Sequence, residues 1–264
     1  MIVLSRRIAQ VLTLLLLVII PILNKKGISV ITGSLYSLSI GPVWFTDPLI
    51  GVQTVLTTMT MDRVLLASLL IPVALTLSFG RVFCGWICPQ NAISELVDFA
   101  ARTFRIRRPI TATPSAKPRF VVLGMILLLL PLTGIPLASL LSAPGILSVQ
   151  IAQFVTERIV GLELALIGII VLIELFLVRR AWCNYLCPVG SFLGLLRIKR
   201  TLKVVFAEDA VHVCGKCLAC VDACGLGLNP IEGRIYPQCH NCGACISSCR
   251  DISAEKAPLS FTFT

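Results

Sequence analysis

Cys214-Gly215-Lys216-Cys217-Leu218-Ala219-Cys220-Val221-Asp222-Ala223-Cys224 is followed, after 14 residues, by a second such run. That run is Cys239-His240-Asn241-Cys242-Gly243-Ala244-Cys245-Ile246-Ser247-Ser248-Cys249. Each is a C-x2-C-x2-C-x3-C run, and two in succession is the spacing that holds a pair of [4Fe–4S] cubanes. Three thiolates spaced three apart wrap one face of a cubane, and the fourth points away to the other cluster. The spacing assigns cluster one to Cys214, Cys217, Cys220 and Cys249, and cluster two to Cys239, Cys242, Cys245 and Cys224. Gly215, Gly243, Ala219 and Ala244 let backbone N–H groups approach the sulfurs. The proline usual after the fourth cysteine is absent; Gly225 and Arg250 stand there. Zinc and disulfides are the competing uses. The tight triple run is unusual for zinc, and a cytoplasmic location opposes disulfides. His212 and His240 adjoin ligands, and the expectation for both is a surface position beside a turn.

Ahead of this tail the composition changes. The 264 residues are 56% hydrophobic and 14% charged, with a mean hydropathy of +0.93. This excludes an ordinary cytosolic enzyme and a disordered chain. Four apolar stretches approach the roughly 20 helical residues that cross a bilayer: about 4–23, 63–79 continuing toward Cys84, 120–141, and 159–178. Pro131 and Pro136 predict a kink in the third. Ser5-Arg6-Arg7 faintly resembles a twin-arginine signal, but no cleavage site follows, so the first stretch reads as an uncleaved anchor. Fifteen of the 23 Lys and Arg flank one side of the spans and four the other, which places both termini in the cytoplasm. The net charge of +10 divides into +12 for residues 1–203 and −2 for 204–264. The basic excess is therefore a topology signal and not a nucleic-acid patch. The fold class expected is an all-α integral membrane domain (1–203, four helices in two repeated pairs) with a small α+β dicluster domain (204–264).

Four cysteines remain, in Arg81-Val82-Phe83-Cys84-Gly85-Trp86-Ile87-Cys88-Pro89 and Arg180-Ala181-Trp182-Cys183-Asn184-Tyr185-Leu186-Cys187-Pro188. Both are basic–x–aromatic–C-x3-C-P units at the end of a span, which suggests an internal repeat. In helical form each pair shares a face, with a new helix starting at Pro89 and Pro188. Three roles stand open for Cys84, Cys88, Cys183 and Cys187: a metal or additional iron–sulfur centre, a redox-active dithiol, or buried small apolar residues. Trp86, Tyr185 and Trp182 are expected in an interfacial aromatic belt.

Glu163 and Glu174 interrupt the fourth span and are candidates for a proton relay serving quinol oxidation. The segment from Gly27 to Asp62 is expected to fold back on the outer membrane face, with Trp44 and Phe45 at the interface. Asp47 reads as a turn former before Pro48, with a quinol hydroxyl as its alternative ligand.

These residues resemble the NapH/MauN group of membrane ferredoxin-type proteins. The likeness rests on the four spans, the unit 83–89 after the second, 182–190 after the fourth, Thr46-Asp47-Pro48-Leu49, and the double-cluster tail. The resemblance implies a multi-pass protein of the bacterial inner membrane. Its NapH-type members imply a quinol dehydrogenase subunit of periplasmic nitrate respiration, passing electrons from the quinone pool to an iron–sulfur partner of the NapG type. MauN-type members imply electron donation in methylamine dehydrogenase maturation. Copper handling by the paired thiols, as in larger polyferredoxins, is a third expectation.

Overall fold

The structure is a computed structural model, and it describes residues 2–28, 30–106, 115–196, 202–207, 217–233, 235–252 and 258–263. His212, Cys214 and Gly215 lie outside them.

The chain is mostly helical. Helix α1 (Ile2–Lys25) is the one described helix long and apolar enough to cross a membrane. The other expected spans are met by shorter helices: α3 (Arg63–Phe79), α6 (Lys117–Thr133) and α9 (Glu163–Phe176). Local chemistry sets the differences. α3 does not continue toward Cys84, because Gly80 takes a positive φ and caps it. Pro131 stays inside α6, whereas Gly134, in the left-handed region, ends that helix before Pro136. A break thus replaces the expected kink, and α7 (Leu137–Leu140) follows.

The N-terminal part is not all-α. Between α1 and α2 (Pro48–Thr58), β1 (Ile31–Gly33), β2 (Ser37–Ile40) and β3 (Val43–Thr46) form an antiparallel meander. β-branched and aromatic residues in short runs around Gly33 and Gly41 favour it. Asp47 caps α2, accepting from the Leu49 N–H at 2.8 Å. Helix α8 (Ala143–Glu157), which no apolar stretch marks in the sequence, packs along α1 and α9.

The two halves correspond element by element. An X-Pro start opens α2 and α8; α3 and α9 follow. Each then leads to a thiol-bearing turn: α4 (Val82–Trp86) in the first half and a π-type turn over Trp182–Leu186 in the second. New helices start at Pro89 (α5, Pro89–Thr103) and Pro188 (α10, Pro188–Leu195).

In the tail, β4 (Leu202–Phe206) pairs antiparallel with β5 (Leu259–Phe263), and the division expected at 203/204 falls inside β4. Helices α11 (Ala219–Asp222) and α12 (Ala244–Ile252) pack on each other above this ribbon. Their core is Val204, Leu226, Leu228, Ile235, Ile246 and Leu259, with Cys220 and Cys245 buried in it.

Candidate iron–sulfur and thiol centres

The crossed set of the tail comes together in space. Cys224 of the first run lines one cavity with Cys239, Cys242 and Cys245 of the second. The Leu228 N–H points at the Cys224 sulfur at 3.4 Å, the kind of donor that cluster sulfurs take up. Gly243 holds a positive φ. Burial pushes the Cys239 thiol up to about 12, the nearby Cys242 adding to it. Burial likewise raises Cys224 and Cys245. Metal-free, these thiols stay protonated; an iron–sulfur core deprotonates them and accepts their charge. The donor set therefore fits a [4Fe–4S] cluster. For cluster one, Cys217 is exposed while Cys220 and Cys249 pack at the α11–α12 contact.

The four other thiols also converge. Cys84, Cys88, Cys183 and Cys187 line a second cavity. Three hydrophobic cores meet there. Cys183 packs on the tail core, Cys84 on the α2–α6–α10 core, and Cys187 on that core and on the one around Trp182. Cys88 and Cys187 are the N-caps of α5 and α10, and the Gly190 N–H donates to the Cys187 sulfur at 3.4 Å. Burial above all raises the thiols of Cys88, Cys183 and Cys187. Among the described residues no three His, Cys, Asp or Glu side chains are grouped to hold a single metal ion.

Leu226 and His240 line both cavities. His240 is not the surface residue expected: it is 5% exposed. Burial, then Arg180 and Arg81, holds its pKa well below the usual histidine range, so the imidazole is neutral. The residue after the first cysteine of each unit touches this partition. A Cβ on Gly85 would stand 2.7 Å from the His240 carbonyl oxygen, and Asn184 Nδ2 donates to the Leu226 carbonyl at 3.3 Å.

Further bonds fasten the tail to the helices. Arg81 Nη1 donates to the Pro237 and Gln238 carbonyls at 3.0 and 2.9 Å. Arg179 Nη1 donates to the Cys224 carbonyl at 3.1 Å. Trp86 Nε1 donates to the Asn241 carbonyl at 3.1 Å, and Trp182 is buried against the thiol cavity. Neither tryptophan forms the expected belt: Trp86 is held by the tail, and Trp182 packs in the core between α8 and α9.

The two glutamates are not brought together. Glu174 is buried at the C-terminal end of α9, near enough to Cys183 for their charges to interact. Glu163 is exposed at the other end, roughly 16 Å along the axis, accepting from Gln150 at 2.8 Å. Sequence reading missed a buried ionic network. Arg6 pairs with Glu95 at 2.6 Å, Arg179 and Arg180 pair with Asp98 at 3.3 Å, and Arg180 also donates to Asn91. The network's sequence signals were Arg180, ahead of the second C-x3-C-P unit, and Arg6, at the start of the first apolar stretch.

A family model described as a 4Fe-4S binding domain matches twice, at residues 63–107 and 160–204, each match containing one C-x3-C-P unit. The chain is 32% identical to the uncharacterized protein MJ0750 of Methanocaldococcus jannaschii over 75% of its own length and 79% of that protein. It is 30% identical to the methylamine utilization ferredoxin-type protein MauN of Methylorubrum extorquens, over 83% of this chain and 73% of MauN. To the ferredoxin-type protein NapH of Escherichia coli it is 27% identical, over 81% and 75%. No solved structure matches. With its crossed cysteine set and doubled thiol unit, the chain is a ferredoxin-type 4Fe–4S electron-transfer protein of the NapH/MauN family.

Proposed function

We propose that the protein is a multi-pass membrane electron carrier that moves electrons between the quinol pool and a partner redox protein. Two [4Fe–4S] clusters in the tail carry them: cluster one on Cys214, Cys217, Cys220 and Cys249, cluster two on Cys224, Cys239, Cys242 and Cys245. The observation that carries this reading is the joining of Cys224 to the second run, which supports two clusters with crossed ligands, near enough to exchange electrons directly. The clusters supply one-electron chemistry. The chain's residues bury the thiols, aim amides at them and exclude water. Both termini lie on the cytoplasmic side, and the positive charge concentrated ahead of the tail supports that orientation.

Quinol oxidation also releases protons, and Glu174 is placed to accept one. It is buried beside the thiol cavity, and a carboxylate held away from solvent is suited to proton handling. An open groove of about 270 Å³ is lined by Arg6, Arg7, Glu95, Asp98, Phe99 and Cys242. A cluster-two ligand, Cys242, is thus among the residues that line it. The partner on the electron-accepting side is an iron–sulfur or cytochrome protein, as the likeness to NapH suggests. The likeness to MauN supports a second reading, electron donation during maturation of another enzyme.

The test is anaerobic addition of a short-chain quinol to the purified full chain. The expected result is cluster reduction seen by EPR. Intact iron with no spectral change overturns the quinol reading. Glu174→Gln is expected to slow reduction roughly tenfold or more at unchanged iron content; an unchanged rate removes Glu174 from the proton path.

A further inference from the structure

Two arginines beside the membrane-domain thiols lack the counter-charge that their burial demands. Arg119 is 1% exposed. Its Nε donates to Ser191 Oγ at 3.3 Å, but its Nη1 and Nη2 have no hydrogen-bond partner among the described residues. Arg81, also buried, leaves its Nε unpartnered. Their guanidinium ends meet over Gly190, where a Cβ would stand 2.6 Å from Arg81 Nη2 and 3.4 Å from Arg119 Nη2. Among the described residues neither forms an ion pair; Glu95 and Asp98 are taken by Arg6, Arg179 and Arg180. Two desolvated like charges side by side are strongly unfavourable without an anion. Arg81 lines the thiol cavity with Cys84, Cys88, Cys183 and Cys187, and Arg119 stands against it over Gly190, so the missing negative charge belongs in that cavity.

Neutral thiols or two disulfides leave the arginines uncompensated. A cluster ligated by four thiolates is net-negative in both of its common oxidation states. The cavity is of the same order as the one lined by the crossed set in the tail. The N-termini of α5 and α10, capped by Cys88 and Cys187, add N–H groups and a positive dipole end on the same side. We propose that the two halves of the chain share one further [4Fe–4S] cluster, each C-x3-C-P unit giving two of its four thiolate ligands, with Arg81 and Arg119 as the buried counter-charges that set its potential. The family model describes both segments as 4Fe-4S binding; one centre shared between them, and its arginine pair, go beyond that description.

The arginines act through charge. Reduction adds one electron to the cluster with no bond made or broken, and two nearby cations favour the more negative product. This centre therefore has a higher potential than it would have without them. Leu226 and His240 line both cavities, and Gly85 brings the first unit within van der Waals reach of His240 and the Cys242 backbone. The proposal rests on the electron-transfer reading only for the use of the centre; its existence is tested separately.

The full chain, purified without oxygen, is expected to hold about twelve irons, against about eight if only the tail is loaded. Replacing Cys84 and Cys183 together by serine is expected to remove about four irons and one EPR-active component while the tail signals persist. About eight irons in the wild type, or iron and spectra unchanged in the double variant, overturns the proposal. So does stoichiometric zinc or copper lost with those cysteines. Tail clusters that are still reduced by quinol in that case leave the proposed function standing. Arg119→Gln is expected to keep the iron and weaken the electron affinity of this component at least tenfold, about 59 mV for one electron, with Arg119→Lys restoring most of it. Full iron with an unmoved potential removes the arginine from this role.

Discussion

The two C-x3-C-P units share one pattern and one cavity, yet their leading arginines do different work. Arg81 reaches out to the tail carbonyls of Pro237 and Gln238 and turns its remaining edge toward the thiols. Arg180 turns the other way and is locked among Asp98, Glu95 and Asn91. The next difference is at the residue after the first cysteine. Gly85 allows contact with His240 because it lacks a side chain, whereas Asn184 reaches Leu226 with one. A repeated motif therefore fixes where the thiols stand, while its variable positions are specialised to hold an asymmetric partner, the tail.

Substitutions can break this comparison at several depths. The largest effect is expected for Arg180→Ala, which leaves Asp98 and Glu95 short of a buried cation and should cost about 3–5 kcal/mol. Thermal unfolding in detergent checks it, and Arg6→Ala, which strips Glu95 alone from the other side, should follow the same direction. Gly85→Ala comes next. Its Cβ would press on backbone at 2.7 Å, so the tail must shift, at about 1–3 kcal/mol and with altered EPR lines from cluster two. Asn184→Ala leaves the Leu226 carbonyl unsatisfied and should cost about 1 kcal/mol. If Gly85→Ala and Asn184→Ala each leave both unfolding and EPR unmoved, the junction is not held at these positions.

The smallest effect compares the helix starts. Asp47 caps α2 through its carboxylate, whereas Ser142 before α8 makes no side-chain cap. Burial lifts the Asp47 carboxyl from an ordinary 3.8 to about 6. Its folded pKa lies above the unfolded one, so its contribution is complete below about pH 4 and lost as pH rises through about 6. The melting temperature should fall across that window, and Asp47→Asn, which retains a cap, should flatten the slope.

Some features could be read from neighbouring residues alone. Helix starts at Pro89 and Pro188 follow from proline at the first helical position, and the Asp47 cap follows from Asp before Pro. The meander at 31–46 was hidden because its runs are only three or four residues long. Helix α8 was hidden because Gly145, Ser148 and Gln150 interrupt its apolar pattern with buried residues, so no long hydrophobic stretch marks it. His240 and Trp182 were misplaced toward the surface for a related reason. Their burial is supplied by segments far away in the chain, which a local pattern does not contain.

By itself, the sequence determined the chemistry: which sulfurs exist, how they are spaced, and that two similar thiol units recur. Spacing acts over a single turn, so it survives without knowledge of the fold. Tertiary structure alone decided that the two units meet, that Arg81 and Arg119 stand together without a carboxylate, and that His240 lies between the cavities. Those facts depend on contacts between residues about 70 to 160 positions apart, where burial and charge are properties of the assembled chain.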